Sequence, residues 1–176
     1  MVSRTFPAYH PKKGQPTYFV EKILWKLKKI DRCDVCRLFN NCEQGTGCES
    51  DCFPRDFYKI HTIRQNVELW QRRISEIQKG NATLSIRYWS GKPYNSKQVE
   101  ICQLDKDSSV GIQELSFEFN DINYPSIGIP KDIKNYNLET IAKNDGLSLN
   151  DFKNWFKNYD LSKLMAIIHF TSFKYR

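Results

Sequence analysis

The sequence predicts an α+β fold, a mainly antiparallel β-barrel with flanking helices and a cysteine-rich loop insertion. Two observations carry this. Segments of two-residue alternation are separated by helical segments and long turns, without the strand–helix–strand rhythm of a parallel sheet. Five of the six cysteines crowd into one short polar stretch, Cys33 to Cys52. The 176 residues suffice for one domain with a core, or one domain plus a small appendage. Hydrophobic residues at 40% and aromatics at 14% argue against disorder.

Thr5 to Gln15 is a Pro- and Lys-bearing lead-in without periodicity. Pro16-Thr17 opens a helix through about Ile30, with Val20, Ile23, Leu24 and Leu27 at helical spacing. Lys22, Lys26, Lys28 and Lys29 fall outside that stripe and read as a solvated face or a phosphate-tracking patch.

The cysteine block is Cys33-x2-Cys36-x5-Cys42-x5-Cys48-x3-Cys52. A segment so polar has little core of its own, so another agent must order it. Thiolates on structural zinc suit a reducing compartment, with the Cys33–Cys36 knuckle completed by two of Cys42, Cys48 and Cys52. Reduced thiols in a loop, disulfides or another metal such as an iron–sulfur cluster remain open. No organic cofactor is expected. Cys102 stands apart and reads as a buried core thiol.

Lys59-Ile60-His61-Thr62-Ile63-Arg64 follows. In an extended chain Ile60, Thr62 and Arg64 share one face and Lys59, His61 and Ile63 the other. A bend beside Lys59 would bring its amine and the Thr62 hydroxyl together at the mouth of a cleft. Such a pair suits anion or nucleobase binding, or a Lys-activated Thr nucleophile. A basic edge strand with solvated charges is the plainer reading.

Asn66 caps a helix running to Lys79, with Gly80 as its stop and Trp70, Ile74 and Ile77 as its apolar stripe. Leu84, Ile86 and Tyr88 alternate as a half-buried strand, and Lys97 to Leu104 is its hairpin partner. Between them, Trp89-Ser90-Gly91-Lys92-Pro93-Tyr94 is a turn. Trp89 and Tyr94 could stack a base there while Lys92 touches a phosphate, or the aromatics could simply cover the core edge. Leu115, Phe117 and Phe119 make a third strand. Asn137 caps a helix stopped by Gly146. Ser148 with Asp151 caps a second helix, whose apolar face is Phe152, Trp155, Phe156 and Tyr159. A final strand runs from Leu164 to Phe173. Glu100 is expected to face solvent, His10 and His61 to be hydrogen-bonded or exposed, and His169 to be a core histidine.

Lys59-x-x-Thr62-x-Arg64 resembles the K-x-x-T-x-R signature of ASCH domains, small PUA-like β-barrels linked to RNA and modified nucleosides. The stretch from Glu139 through Asp145 to Leu147, the helix with Phe152, Trp155 and Phe156, and the strand Met165 to Phe170 resemble later blocks of that family, in family order. The resemblance covers roughly Phe57 to Lys174. Phe57 stands where the family usually has glycine, and Asp145 where its hydrolytic branch has glutamate. It implies residues 57–176 as the ASCH-like domain, with 1–56 as a helix and cysteine-rich segment packed on it, the two forming one structural unit. It also implies a cleft of Lys59, Thr62, Arg64 and Asp145 that binds RNA or a modified nucleoside. In the amidohydrolase branch, which deacetylates N4-acetylcytidine, the carry-over makes Thr62 the nucleophile, Lys59 the base and Asp145 the group handling the leaving amine. A related ribonuclease activity, or a non-catalytic interaction scaffold docking through a zinc-stabilised loop, are the other expectations.

A net charge of +7 and a pI near 9.1 favour a polyanionic partner. No apolar run approaches the ~20 residues of a membrane span. Met-Val-Ser-Arg-Thr lacks the apolar core of a signal peptide, so the expectation is a cytoplasmic protein without a membrane partner.

Overall fold

A computed structural model describes residues 1–31, 34–35, 56–129 and 132–176. The fold is α+β with antiparallel sheets. In chain order the elements are α1 (Phe19–Lys26), β1 (His61–Arg64), α2 (Val67–Gln78), β2 (Leu84–Trp89), β3 (Gln98–Leu104), β4 (Gly111–Phe117), β5 (Pro125–Ile129), β6 (Asp132–Asn135), α3 (Leu138–Asn144), α4 (Leu149–Phe156) and β7 (Met165–His169). Cys33, Cys36, Cys42, Cys48 and Cys52, and with them the zinc expectation, lie outside the described residues.

Five strands form one sheet in the order β1-β7-β4-β5-β6, and β2 and β3 form a separate hairpin. The sheet does not close into the expected barrel. Closure needs staggered, tilted strands whose two edges meet. Here β1 and β6 are four-residue strands at opposite edges, and the hairpin joins neither of them among the described residues. The strand β7 is buried on both faces, which its unbroken run Met165-Ala166-Ile167-Ile168-His169 foreshadows. It pairs with β1 (Thr62 opposite Ile168) and with β4 (Ile112 opposite Ile168).

The core gathers β7, Leu115 and Phe117 of β4, Ile74 and Ile77 of α2, Ile141 and Ala142 of α3, and Phe152 and Phe156 of α4. Val2, Phe6, Phe19 and Ile23 from the N-terminal segment join the same cluster. Cys102 is a buried free thiol, as expected, and burial raises its pKa.

Caps fix the helix ends where the sequence marks them. The Asn66 side chain accepts from Leu69 N–H, Asn137 from Glu139 N–H, and Ser148 from Asp151 N–H. Gly80 and Gly146 end their helices at φ +84° and +79°, a region glycine enters without strain.

Several boundaries differ from the sequence reading. Helix α1 spans Phe19–Lys26 rather than 16–30. Its end is a Schellman turn, with Lys28 N–H on Trp25 C=O and Lys29 N–H on Leu24 C=O. Lys28 takes the left-handed conformation at φ 55°, where glycine would be the signal. Phe119 leaves the third strand for a 3₁₀ turn at φ 56° and is 84% exposed. The last strand ends at His169, not Phe173. Strands β5 and β6 were not anticipated, because Pro125, Gly128 and Pro130 read as turn punctuation.

Candidate functional site

The approach to β1 is clamped from three sides. Lys59 N–H donates to Lys22 C=O (3.4 Å), Ile60 N–H to Asn144 C=O (2.9 Å), and Phe170 N–H to Ile60 C=O (2.8 Å). These bonds press the start of β1 between α1, the end of α3 and β7. The close approach at Gly146 is part of this fit: a Cβ there would lie 3.1 Å from Lys59 Cβ and 3.3 Å from Tyr58 C=O.

The clamp buries Lys59, which is only 2% exposed. Its Nζ donates to Asp145 Oδ1 and to Asp145 C=O, both at 2.6 Å, and lies 4.3 Å from the centre of the Phe19 ring. Burial lowers the lysine pKa, and the Asp145 carboxylate opposes that. For Asp145, burial pushes upward, but Lys59 and His61 outweigh it and hold the carboxyl below its usual range. Among the described residues the hydrogen bond to the carboxylate falls on Oδ1. Oδ2 therefore keeps its acceptor capacity.

Asp145 and Lys59 open onto one cavity of about 200 Å³, shared with Thr62, Arg64, Trp89 and Pro93. Phe19, Trp155, Phe156 and Tyr159 form much of its apolar wall. The Thr62 hydroxyl makes no hydrogen bond among the described residues. The Arg64 guanidinium is anchored by Met1 C=O at 2.5 Å, and burial lowers its pKa. Residues singled out from one short sequence segment thus meet Asp145, from the far end of α3, around a single space. Lys59 and Thr62 share that space, while the lysine's own hydrogen bonds go to Asp145 rather than to the Thr62 hydroxyl.

The 89–94 turn divides. Trp89 and Pro93 line the cavity, but Lys92 and Tyr94 do not. Tyr94 is 88% exposed at φ 66°, its ring 5.4 Å from that of Trp89. Lys92 is exposed, and its carbonyl accepts from Ser96. Glu100 faces solvent, held by Ser85 and Arg87.

Sequence reasoning missed a buried relay behind the ion pair. His61 Nδ1 lies 3.5 Å from Asp145 Oδ1, and His61 Nε2 lies 2.9 Å from the Tyr175 hydroxyl. Asn144 Nδ2 donates to the same hydroxyl at 2.9 Å. With Tyr175 donating to Nε2, the His61 proton sits on Nδ1 and faces the carboxylate at 3.5 Å, but Nδ1 makes no hydrogen bond among the described residues. Burial keeps His61 neutral and pushes the Tyr175 phenol up. Tyr175 also lines a second cavity of about 240 Å³, so the relay ends beneath a different surface. Its members come from β1, α3 and the segment after β7. No local spacing connects them.

Lys22 is a further correction. It is half-buried rather than on a solvated face, with Nζ donating to Gly146 C=O at 2.6 Å. His10 is buried and hydrogen-bonded to Asp151 C=O and Lys12 N–H. His169 is the expected core histidine, and among the described residues neither ring nitrogen has a hydrogen-bond partner. Burial lowers its pKa to about 2.

Among the described residues, no cluster of three or more His, Cys, Asp or Glu side chains is placed to hold a metal ion. No described helix is long and apolar enough to cross a membrane. Comparisons with protein-family models, curated proteins and solved structures return no match to this chain.

Proposed function

We propose that the protein binds a modified nucleobase, as a free nucleoside or as an unpaired residue of RNA, in the cavity of Lys59, Thr62, Arg64 and Asp145. The observation that carries this reading is the pairing of four polar side chains with an aromatic wall around one small space. A planar heterocycle needs both: ring faces to stack on, and donors and acceptors for its edge. The volume lies below the ~300–1,000 Å³ of sites for drug-sized ligands, which suits one base rather than several. Thr62 offers a donor and an acceptor, Arg64 offers donors, and Asp145 Oδ2 an acceptor. The net charge of +7 and the resemblance to ASCH domains agree with this reading.

Calorimetric titration with N4-acetylcytidine, cytidine and a short single-stranded RNA tests it. Saturable binding that weakens severalfold in Thr62→Val is the expected result, since that change removes a hydroxyl and keeps the shape. Absence of heat with all three ligands in the millimolar range would count against the reading.

A second reading is favoured by one observation: the Thr62 hydroxyl, without a hydrogen bond among the described residues, lines the same cavity as a lysine whose pKa is lowered. A threonine nucleophile with a lysine base would then deacetylate an N4-acetylcytidine-type nucleoside. Lys59 spends two of its three protons on Asp145, which suits an ammonium clamp better than a free base and ranks binding first. Chromatography of N4-acetylcytidine after incubation separates the readings. Cytidine formed by the wild type and not by Thr62→Val establishes the hydrolase; an unchanged substrate peak leaves binding.

A further inference from the structure

A third cavity, of about 510 Å³, lies on the other side of Gly146 from Lys59. It is lined by Lys22, Asp56, Glu139, Lys143, Gly146 and Ser148, among others. Asp56 and Lys143 pair with each other at 2.5 Å. Lys22 is half-buried, its Nζ 5.8 Å from the centre of the Phe57 ring. Its ammonium has no carboxylate within ion-pair distance among the described residues, and its one hydrogen bond is to a backbone carbonyl.

A second cation stands close by. A Cβ at Gly146 would lie 3.1 Å from Lys59 Cβ and 3.3 Å from Lys22 Cδ, so both lysine stems pack on one glycine. Their amines hold consecutive carbonyls, Lys59 that of Asp145 and Lys22 that of Gly146. The carboxylate goes to Lys59 alone. Of two crowded ammonium groups, the one without a counter-ion releases its proton first. A desolvated lysine beside another cation is the arrangement that makes an amine nucleophilic toward carbonyl carbon.

We propose that Lys22 is a reactive amine that captures a small aldehyde or ketone as an imine in this cavity. The neutral amine adds to the carbonyl carbon, forming the C–N bond, while the C=O π pair moves to oxygen. Nitrogen gives up both of its protons in turn, the oxygen takes up two, and water leaves as the C=N bond forms. Amine and carbonyl compound thus yield imine and water, with no oxidant or reductant. The lysine pKa agrees with this role: burial, first, and Lys59 lower it to about 8. Lys12 adds to the lowering, and Asp151 and Asp145 oppose it. The nucleobase reading of the neighbouring cavity is not needed for any of this.

Competitive reductive alkylation of the full chain tests the proposal. Limiting acetaldehyde with cyanoborohydride traps each imine as an ethyl-lysine, and peptide mass mapping gives a rate for every lysine across pH 6 to 10. Lys22 is expected to react roughly tenfold faster than exposed lysines at pH 7.5, where far more of its amine is neutral. Its half-maximal rate should fall near pH 8. Labelling of Lys22 at or below the rate of exposed lysines, or a rate that still rises tenfold per pH unit up to pH 10 as theirs does, would overturn the proposal.

Discussion

Lys59 and Asp145 are each nearly buried, and each is tolerable only because of the other. Removing one partner of such a pair leaves an uncompensated charge in a low-dielectric interior, at a cost of about 3–5 kcal/mol. Lys59→Ala should therefore lose stability of that order in urea unfolding, and its loss of ligand binding would say little about contact. The double variant Lys59→Met with Asp145→Leu should recover most of the loss; equal instability of single and double variants would contradict the account. Thr62→Val avoids the problem and is the cleaner probe of the cavity.

The histidines set the acid limb. His61 and His169 are buried and held neutral, with folded pKa values below the unfolded value of about 6.5. The unfolded chain thus binds more protons below pH 6.5, so stability is full above that pH and falls as pH drops through it. Each such histidine contributes a slope of up to about 1.4 kcal/mol per pH unit. Asp145, with its depressed pKa, adds its loss only below pH ~4. Replacing His169 by Phe keeps a ring among His61, Phe173 and Tyr175 and removes two unpartnered nitrogens. The pH 5–6.5 slope of unfolding free energy should flatten by about one proton; an unchanged slope would show that His169 is protonated in the fold.

At the scale of elements, the chain is legible wherever a residue type has a single local use. Gly80 and Gly146 stop their helices, and Asn66, Asn137 and Ser148 start theirs. Where the chain breaks its own rule, reading fails. Helix α1 ends at Lys28 in a glycine conformation, so no punctuation marks the stop. Lys28→Gly should then stabilise the protein by about 0.5–1 kcal/mol, measured as a rise in thermal midpoint. A fall would mean that the lysine side chain matters more than its backbone strain. Gly146→Ala should do the opposite, because φ +79° strains alanine and the new methyl meets Lys59 Cβ and the Tyr58 carbonyl. The short strands β5 and β6 were hidden because their identity comes from ladder pairing with β4 and each other, not from alternation.

Across the whole molecule, the candidate site was half legible. Lys59, Thr62 and Arg64 stand together in sequence, and Asp145 follows from the resemblance; the fold brings all four to one cavity with Trp89. The aromatic wall from α1 and α4 and the relay of His61, Tyr175 and Asn144 were not legible. Their members meet only because β1 pairs with β7 and the chain after β7 returns beneath α3, and register of that kind leaves no local spacing. The same packing places two of the four tryptophans, Trp89 and Trp155, on the cavity, and leaves Trp25 and Trp70 off its wall. That contrast supplies the most direct measurement: indole N–H resonances of ¹⁵N-labelled protein, followed during titration with N4-acetylcytidine, cytidine and single-stranded RNA. Saturable shifts of Trp89 and Trp155 with Trp25 and Trp70 unmoved, weakened in Thr62→Val, are what a nucleobase in this cavity produces. Shifts confined to Trp25 or Trp70, or none at about 1 mM ligand, the weak end of measurable affinity, would contradict it.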